Sequence, residues 1–291
     1  MKKLLVLSGK GGTGKTTVAA ALIHFSRARA IADCDVDAPN LHLTVPLPAA
    51  QERIPFFGSE KACIEADRCN GCGLCVEACR FQALHRTASG KVDVNTLVCE
   101  GCGVCTYVCP RQAAALRPDL AGCRTLYTRG SVFSTATLRM GRGNSGKLVT
   151  EVKTALAQAA PDAPLAIIDG SPGIGCPVIA SVSGADLVLA VTEPTVSGLS
   201  DLQRLLHTAA TLDAPIAVCV NRFDDYPEGG ERIEAFCRER HIPLAGRIPT
   251  DPEVRRALNA GRSIAEVECP AQAALLEVYH AVQRLLGEET A

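Results

Sequence analysis

Two runs of cysteine carry the most specific spacing in this chain: Cys69, Cys72, Cys75 and Cys79, then Cys99, Cys102, Cys105 and Cys109. Each reads Cys-x₂-Cys-x₂-Cys-x₃-Cys, with Pro110 after the last cysteine and Arg80 at the corresponding place in the first run. Thiolates are soft donors, and four at this spacing suit a [4Fe–4S] cluster, the fourth cysteine of each run serving the other cluster. One cluster would use Cys69, Cys72, Cys75 and Cys109, and the second Cys99, Cys102, Cys105 and Cys79. Structural zinc asks for four ligands from two separated pairs, which two runs of four fit poorly. Gly71, Gly73, Gly101 and Gly103 flank the ligands and let the backbone wrap tightly with its N–H groups aimed at sulfur. Cys63, Cys219, Cys237 and Cys269 occur singly and read as small buried hydrophobes.

A second constellation is built for phosphate. Gly9-Lys10-Gly11-Gly12-Thr13-Gly14-Lys15-Thr16-Thr17 places a glycine-rich turn between an apolar run, Leu4 to Leu7, and a helical stretch. Backbone N–H groups in such a turn point inward around phosphate oxygens, and the following helix N-terminus adds partial positive charge. Lys15 is expected on the β- and γ-phosphates of ATP and the Thr16 hydroxyl on Mg²⁺. Asp169 closes an apolar run, Leu165 to Ile168, where a carboxylate can hold the outer shell of Mg²⁺.

With Lys10 included, this loop resembles the deviant Walker A of the MinD, ParA, Mrp and nitrogenase-iron-protein superfamily of P-loop ATPases. The resemblance implies that ATP closes a homodimer, with Lys10 reaching the partner's nucleotide. Asp33-Cys34-Asp35-Val36-Asp37-Ala38-Pro39-Asn40 resembles switch I, where Asp35 or, second, Asp37 would orient the attacking water. Asp169-Gly170-Ser171-Pro172-Gly173 looks like Walker B joined to switch II, with Gly173 sensing the γ-phosphate. Asn221, Pro249 and Asp251 match adenine-contacting positions. Cys176 follows Asp169 at a distance similar to that of a cluster-ligand cysteine from the switch II aspartate in the nitrogenase iron protein, but its second ligand has no counterpart here, and inert packing is the simpler reading.

These residues need a scaffold. Apolar runs at Leu165 to Ile168, Leu187 to Val191, Ile216 to Val220 and Leu244 to Ile248 lack alternation, as expected of parallel strands buried on both faces. Helical stretches between them give the rhythm of an α/β fold with a doubly wound, mostly parallel sheet. The rhythm breaks at the cysteine runs and resumes afterwards. The expected organisation is a P-loop ATPase domain in two pieces, residues 1–57 and 123–291, with an inserted small α+β bacterial ferredoxin-like domain over residues 58–122. Between Gly122 and Lys147 the chain carries Arg124, Arg129, Arg139, Arg142 and Lys147 and no acidic residue. That stretch reads as a solvated basic face, or more sharply as a docking surface for an acidic redox partner. The spacing of Leu275, Leu276, Tyr279, Val282 and Leu286 predicts a docked C-terminal helix.

The bulk chemistry narrows the function. Across 291 residues, Lys+Arg number 30 and Asp+Glu 31, a balance unlike that of proteins that coat nucleic acid or anionic membrane. No apolar run spans a bilayer and no export signal is evident, so a reducing, cytoplasmic setting is expected for the 15 cysteines. The combined expectation is an ATP-hydrolysing protein with Mg²⁺ and two [4Fe–4S] clusters, dimerising on ATP and meeting a redox or metallocofactor-carrier protein. Such a protein would serve electron transfer or metallocluster assembly. The alternative is a MinD- or ParA-like spatial or division regulator whose clusters sense redox state.

Overall fold

The computed structural model describes residues 1–287; the end of the second ATPase piece, residues 288–291, lies outside the described residues. In chain order the elements are β1 (Lys2–Leu7), α1 (Lys15–Ser26), β2 (Ala30–Asp33), β3 (Ala50–Ile64), α2 (Leu74–Ala78), β4 (Leu84–Arg86), β5 (Val92–Val94) and α3 (Val104–Val108). They continue with β6 (Ala114–Thr128), β7 (Val132–Leu138), α4 (Ser145–Ala159), β8 (Leu165–Asp169), α5 (Cys176–Val182) and β9 (Leu187–Thr192). The last are α6 (Val196–Thr211), β10 (Ile216–Asn221), α7 (Pro227–Glu239), β11 (Leu244–Ile248), α8 (Pro252–Asn259) and α9 (Pro270–Leu286).

The chain forms two compact units, one of Met1–Ile54, Arg124–Thr137 and Ser145–Ala291, the other of Pro55–Cys123 and Leu138–Asn144. Leu138–Asn144 thus groups with the cysteine-bearing unit, whereas the sequence division places it in the second ATPase piece. Arg142 gives the reason: its Nε pairs with Asp119 Oδ2 at 3.2 Å and its Nη1 donates to Thr96 O at 2.9 Å, inside that unit. Arg139 also donates to Leu120 O at 3.2 Å. These two guanidiniums are engaged internally, which weakens the expectation that they form a docking surface.

In the larger unit, strands run β11-β10-β9-β1-β8-β2-β7, with β6 and β3 following β7 in the sheet order. The neighbouring pairs from β11 to β7 are all parallel. β1, β8, β9 and β10 are the apolar runs expected from sequence, and their side chains are almost wholly buried. α1 is apolar nearly all round, Val18 to Ile23 being buried, as befits a helix covered on several sides. It packs against α9 and β8. α9 buries Leu275, Val278, Val282 and Leu286 along one stripe, each such side chain contributing roughly 1.5–3 kcal/mol. No helix among the described residues is long and apolar enough to cross a membrane.

In the smaller unit, α2 and α3 are single short turns of helix and β4 pairs antiparallel with β5. Ala62, Ala83, Leu84, Val92 and Ala114 form its apolar core together with Cys75, Cys99 and Cys105. The unit is an internal repeat. Cys69 matches Cys99 and Cys79 matches Cys109; the same backbone bonds recur, Ala83 N to Cys79 Sγ and Ala113 N to Cys109 Sγ, both 3.3 Å. β3 and β6 each contribute residues to both units, and neither long strand is evident in the sequence, where Pro55, Gly58 and Pro118 interrupt the pattern.

Candidate functional site

Parallel strands deliver their C-terminal ends to one edge of the sheet, where open α/β folds bind ligands. At that edge of β1 the glycine loop turns into α1, whose first residue is Lys15. Lys15 is 6% exposed and its ammonium pairs with Asp169 Oδ1 at the end of β8. Thr16 Oγ1 donates to Asp169 Oδ2 at 2.7 Å. Thr13 Oγ1 is buried without a hydrogen-bond partner. A polar atom so placed in a lysine-bearing loop suits a polar ligand such as a phosphate oxygen. Lys10, in contrast, lies along its own chain: Nζ is 3.1 Å from Glu193 Oε2 and 3.3 Å from Ser197 Oγ. Arg222 holds the other Glu193 oxygen at 2.7 Å and reaches Gly12 O at 3.4 Å.

Asp33 ends β2 beside Asp169, its register partner on β8. Its carboxylate accepts from the backbone N–H groups of Asp35 (3.1 Å), Asn40 (3.0 Å) and Leu41 (3.0 Å). Burial first, and Asp169 second, push Asp33 up to about 7. Its role is to shape the loop that carries Asp35. Asp35 is partly buried, within electrostatic reach of both Lys15 and Asp169, and raised chiefly by burial. Asp37 is exposed. Ser171 Oγ donates to Cys34 O at 2.5 Å and Gly173 N to Ser8 O at 3.0 Å, tying the loop after β8 to those after β2 and β1.

Asn221, Pro249, Asp251, Gly14 and Thr17 line one cavity of about 540 Å³, a size common for small-ligand pockets. Asn221 Nδ2 donates to Thr13 O at 2.8 Å, so this pocket abuts the glycine loop. Asp251 is engaged as a cap, accepting from Glu253 N (2.9 Å) and Ala271 N (3.1 Å). Burial acts to raise Asp251, but those bonds hold it below its ordinary value. A larger cavity of about 680 Å³ includes Lys147, Lys153 and the exposed Cys176, and no residue of the glycine loop. Lys153 donates to Ala180 O, Ser181 O and Ser183 O at 2.8, 2.6 and 2.6 Å, fixing the end of α5; burial lowers it to about 8.

In the smaller unit, cysteines from the two runs lie near one another. Burial raises the Cys75 thiol, and Cys109, Cys69 and Cys72 lie within its electrostatic reach. Cys79, Cys99, Cys102 and Cys105 line one small cavity with Phe81 and Leu116. Three sulfurs accept backbone N–H bonds: Cys79 from Ala83, Cys109 from Ala113, and Cys99 from Ala62 at 3.4 Å. For Cys109 such bonds outweigh burial and lower its pKa, which favours the thiolate. Gly71 and Gly101 take left-handed φ of 72° and 67°. A Cβ at Gly71 would collide with Gly90 O, and one at Gly101 with Glu60 O. Among the described residues no three His, Cys, Asp or Glu side chains are placed to hold a single metal ion.

Sequence reasoning missed Asp33, Glu193, Arg222 and Lys153 as organisers of the phosphate edge. Asp33 stood within the quoted acidic stretch and was readable as a strand-end carboxylate. The other three act through contacts distant in sequence that no local motif encodes.

A family model described as the CobQ/CobB/MinD/ParA nucleotide-binding domain matches residues 4–264. An uncharacterized protein of Methanocaldococcus jannaschii is 32% identical over 240 residues, covering 76% of this chain and 78% of its own length. An iron–sulfur cluster carrier protein of Pyrococcus furiosus is 24% identical over 306 residues, covering 98% and 87% respectively. Among solved structures, the Pyrococcus furiosus cell division ATPase MinD has a TM-score of 0.57 at 19% identity, covering 98% of this chain and 99% of that one. MinD of Pyrococcus horikoshii complexed with Mg-ADP gives 0.56 at 18%, covering 100% and 99%. At that identity the likeness establishes the fold, an α/β P-loop NTPase with a large, mostly parallel sheet.

Proposed function

The chain belongs to the CobQ/CobB/MinD/ParA nucleotide-binding family, and from that premise we propose that it is an ATP-hydrolysing iron–sulfur protein. Its nucleotide-driven dimer would govern electron transfer or metallocluster assembly. The observation that carries the reading is the presence, in one chain, of the Lys15–Thr16–Asp169 constellation and two Cys-x₂-Cys-x₂-Cys-x₃-Cys runs whose cysteines lie near one another.

On the nucleotide side, Lys15 leaves Asp169 to neutralise β- and γ-phosphate oxygens. Thr16 and Asp169 are the residues that would hold Mg²⁺, which supplies charge neutralisation at those oxygens. Asp35 orients a water for in-line attack on the γ-phosphorus, giving ADP and inorganic phosphate. Asp37, exposed, remains the second candidate. Gly173 senses the γ-phosphate. Asn221, Pro249 and Asp251 shape the base pocket. Lys10 turns from Glu193 to a partner's nucleotide when ATP closes the dimer, where positive charge stabilises the transferring phosphoryl group.

On the cysteine side, Cys69, Cys72, Cys75 and Cys109 form the first ligand set and Cys99, Cys102, Cys105 and Cys79 the second. The sulfur-directed N–H groups and the glycine turns suit a four-iron cluster, which is wider than one ion and supplies one-electron redox chemistry. A domain of this size with so small an apolar core gains stability from such groups. Residues 58–122 are accordingly read as a ferredoxin-like insertion between two ATPase pieces, 1–57 and 123–291. The cluster-carrier relative from Pyrococcus furiosus is consistent with a metallocluster role. A cytoplasmic setting and a redox or metallocofactor-carrier partner complete the reading, without nucleic acid or stable membrane insertion.

The test separates the two chemistries in anaerobically prepared full-length protein. Lys15→Ala is expected to abolish phosphate release while the iron and sulfide content stays at the wild-type level. Wild-type protein that binds no cluster, or turns over ATP equally well without Lys15, would overturn the proposal.

A further inference from the structure

The internal repeat of the cysteine unit allows each ligand set to be compared with the other, position by position, and the comparison exposes an electrostatic asymmetry. Arg86 on β4 has Leu116 on β6 as its counterpart. The Arg86 guanidinium donates to Gly71 O and, at 2.9 Å, to Cys72 O. It lies over the loop of the first set so closely that a Cβ on Gly73 would collide with it. At the second set the counterpart Leu116 packs at 3.8 Å from the matching Cβ position of Gly103 and lines the Cys99–Cys105 cavity. A second difference has the same sign. Glu100 lines that cavity, whereas its counterpart at the first set is the neutral Asn70, whose Oδ1 accepts from Cys72 N at 3.3 Å.

Other cations act on both sides. Lys61 donates to Cys99 O, on a ligand of the second set, and its counterpart Lys91 to Ala66 O, ahead of the first run, so this pair offsets part of the asymmetry. Arg142, which donates to Thr96 O ahead of the second run, is neutralised by Asp119. Arg80 follows Cys79 and Arg111 follows Pro110, giving each set one cation beside its fourth ligand. Arg68 and Arg117 both pair with Glu65.

We infer that Arg86 makes the cluster of the Cys69–Cys72–Cys75–Cys109 set the more easily reduced of the two, so that electrons within the module run from the second set to the first. Reduction adds one negative charge to a cluster, and a guanidinium that is permanently charged favours that added charge at the site it faces. Glu100 opposes it at the other. One electron from a low-potential one-electron donor such as dithionite therefore resides on the first set, while the second stays oxidised until a further electron is supplied. Arg86 is exposed, so salt screens part of its effect. This inference rests on the iron–sulfur reading of the cysteine unit.

The test is an EPR-monitored dithionite titration of the full chain reconstituted anaerobically with ferrous iron and sulfide. The wild type is expected to show two reduction steps separated by about tenfold in equilibrium, which is about 59 mV for a one-electron couple. Arg86→Leu should lower the higher step and bring the two together, and Arg86→Lys should restore the gap. Leu116→Arg should raise the lower step, and it tests the same idea if Arg86→Leu fails to hold its clusters. Absence of any cluster signal in the wild type would remove the iron–sulfur reading and this inference with it. Two clusters whose steps do not respond to Arg86→Leu or Leu116→Arg would overturn this inference alone.

Discussion

Asp33 and Asp169 are register partners on adjacent parallel strands, two carboxylates with no exposed surface side by side at the phosphate edge. Only one of them faces a cation directly: Asp169 pairs with Lys15, while Asp33 is satisfied by backbone N–H groups. This division of labour separates the carboxylate that would meet Mg²⁺ from the one that folds the Asp35 loop.

The first prediction follows from the titration of Asp33, which rises from 3.8 to about 7, burial being the main cause. A carboxyl raised on folding contributes stability that is full below its unfolded pKa and lost as pH rises through the folded one. The stability difference between wild type and Asp33→Asn, from denaturant unfolding, should therefore shift against the wild type between about pH 4 and pH 7. Parallel pH profiles for the two proteins would show that Asp33 does not titrate in this window.

The second concerns the buried pair. Lys15→Ala leaves Asp169 without its cation and should cost roughly 3–5 kcal/mol of stability in nucleotide-free protein. Lys15→Ala combined with Asp169→Asn should recover part of that loss in denaturant unfolding. A double variant no more stable than Lys15→Ala would mean that the pair is not held as described.

A third prediction addresses Lys10. Its contact with Glu193 is partly exposed and worth at most about 1 kcal/mol, or roughly fivefold. Glu193→Gln should tighten ATP-dependent dimerisation by up to about that factor in analytical ultracentrifugation, and Lys10→Ala should abolish it. Unchanged association in Glu193→Gln would show that this contact does not restrain the lysine.

Much of this arrangement was legible in the chain itself, for physical reasons. The glycine loop, Asp169 and the cysteine runs are local patterns whose spacing carries the expectation of their chemistry. The strands β1 and β8 to β10 announce themselves by apolar runs, whereas β11 is interrupted by Gly246 and Arg247. The cavity beside the glycine loop also follows, because Asn221 ends one such strand and Pro249 follows β11. What stayed hidden depends on long-range contacts. Glu193 joins Lys10 to Arg222, Lys153 caps α5, and Arg142 ties Leu138–Asn144 to the cysteine-bearing unit through Asp119. β3 and β6 were obscured because Pro55 and Pro118 are residues that ordinarily argue against a strand.

The fourth prediction tests the turns around the ligands. Gly71→Ala and Gly101→Ala each place a Cβ against a carbonyl oxygen at a left-handed backbone position. Each should lower iron content in reconstituted protein by about half or more, and the strain alone costs roughly 1–2 kcal/mol per site. Wild-type iron content in both variants would contradict the proposed wrapping of the ligand loops.

The coupling of nucleotide to cluster is the central claim, and one titration addresses it most directly. Reduction potentials of the reconstituted protein are measured by EPR in the presence of ADP and then of a non-hydrolysable ATP analogue. The account predicts a shift of about 59 mV or more, with reduction altering nucleotide affinity by the same factor. Identical potentials in the two nucleotide states would contradict it.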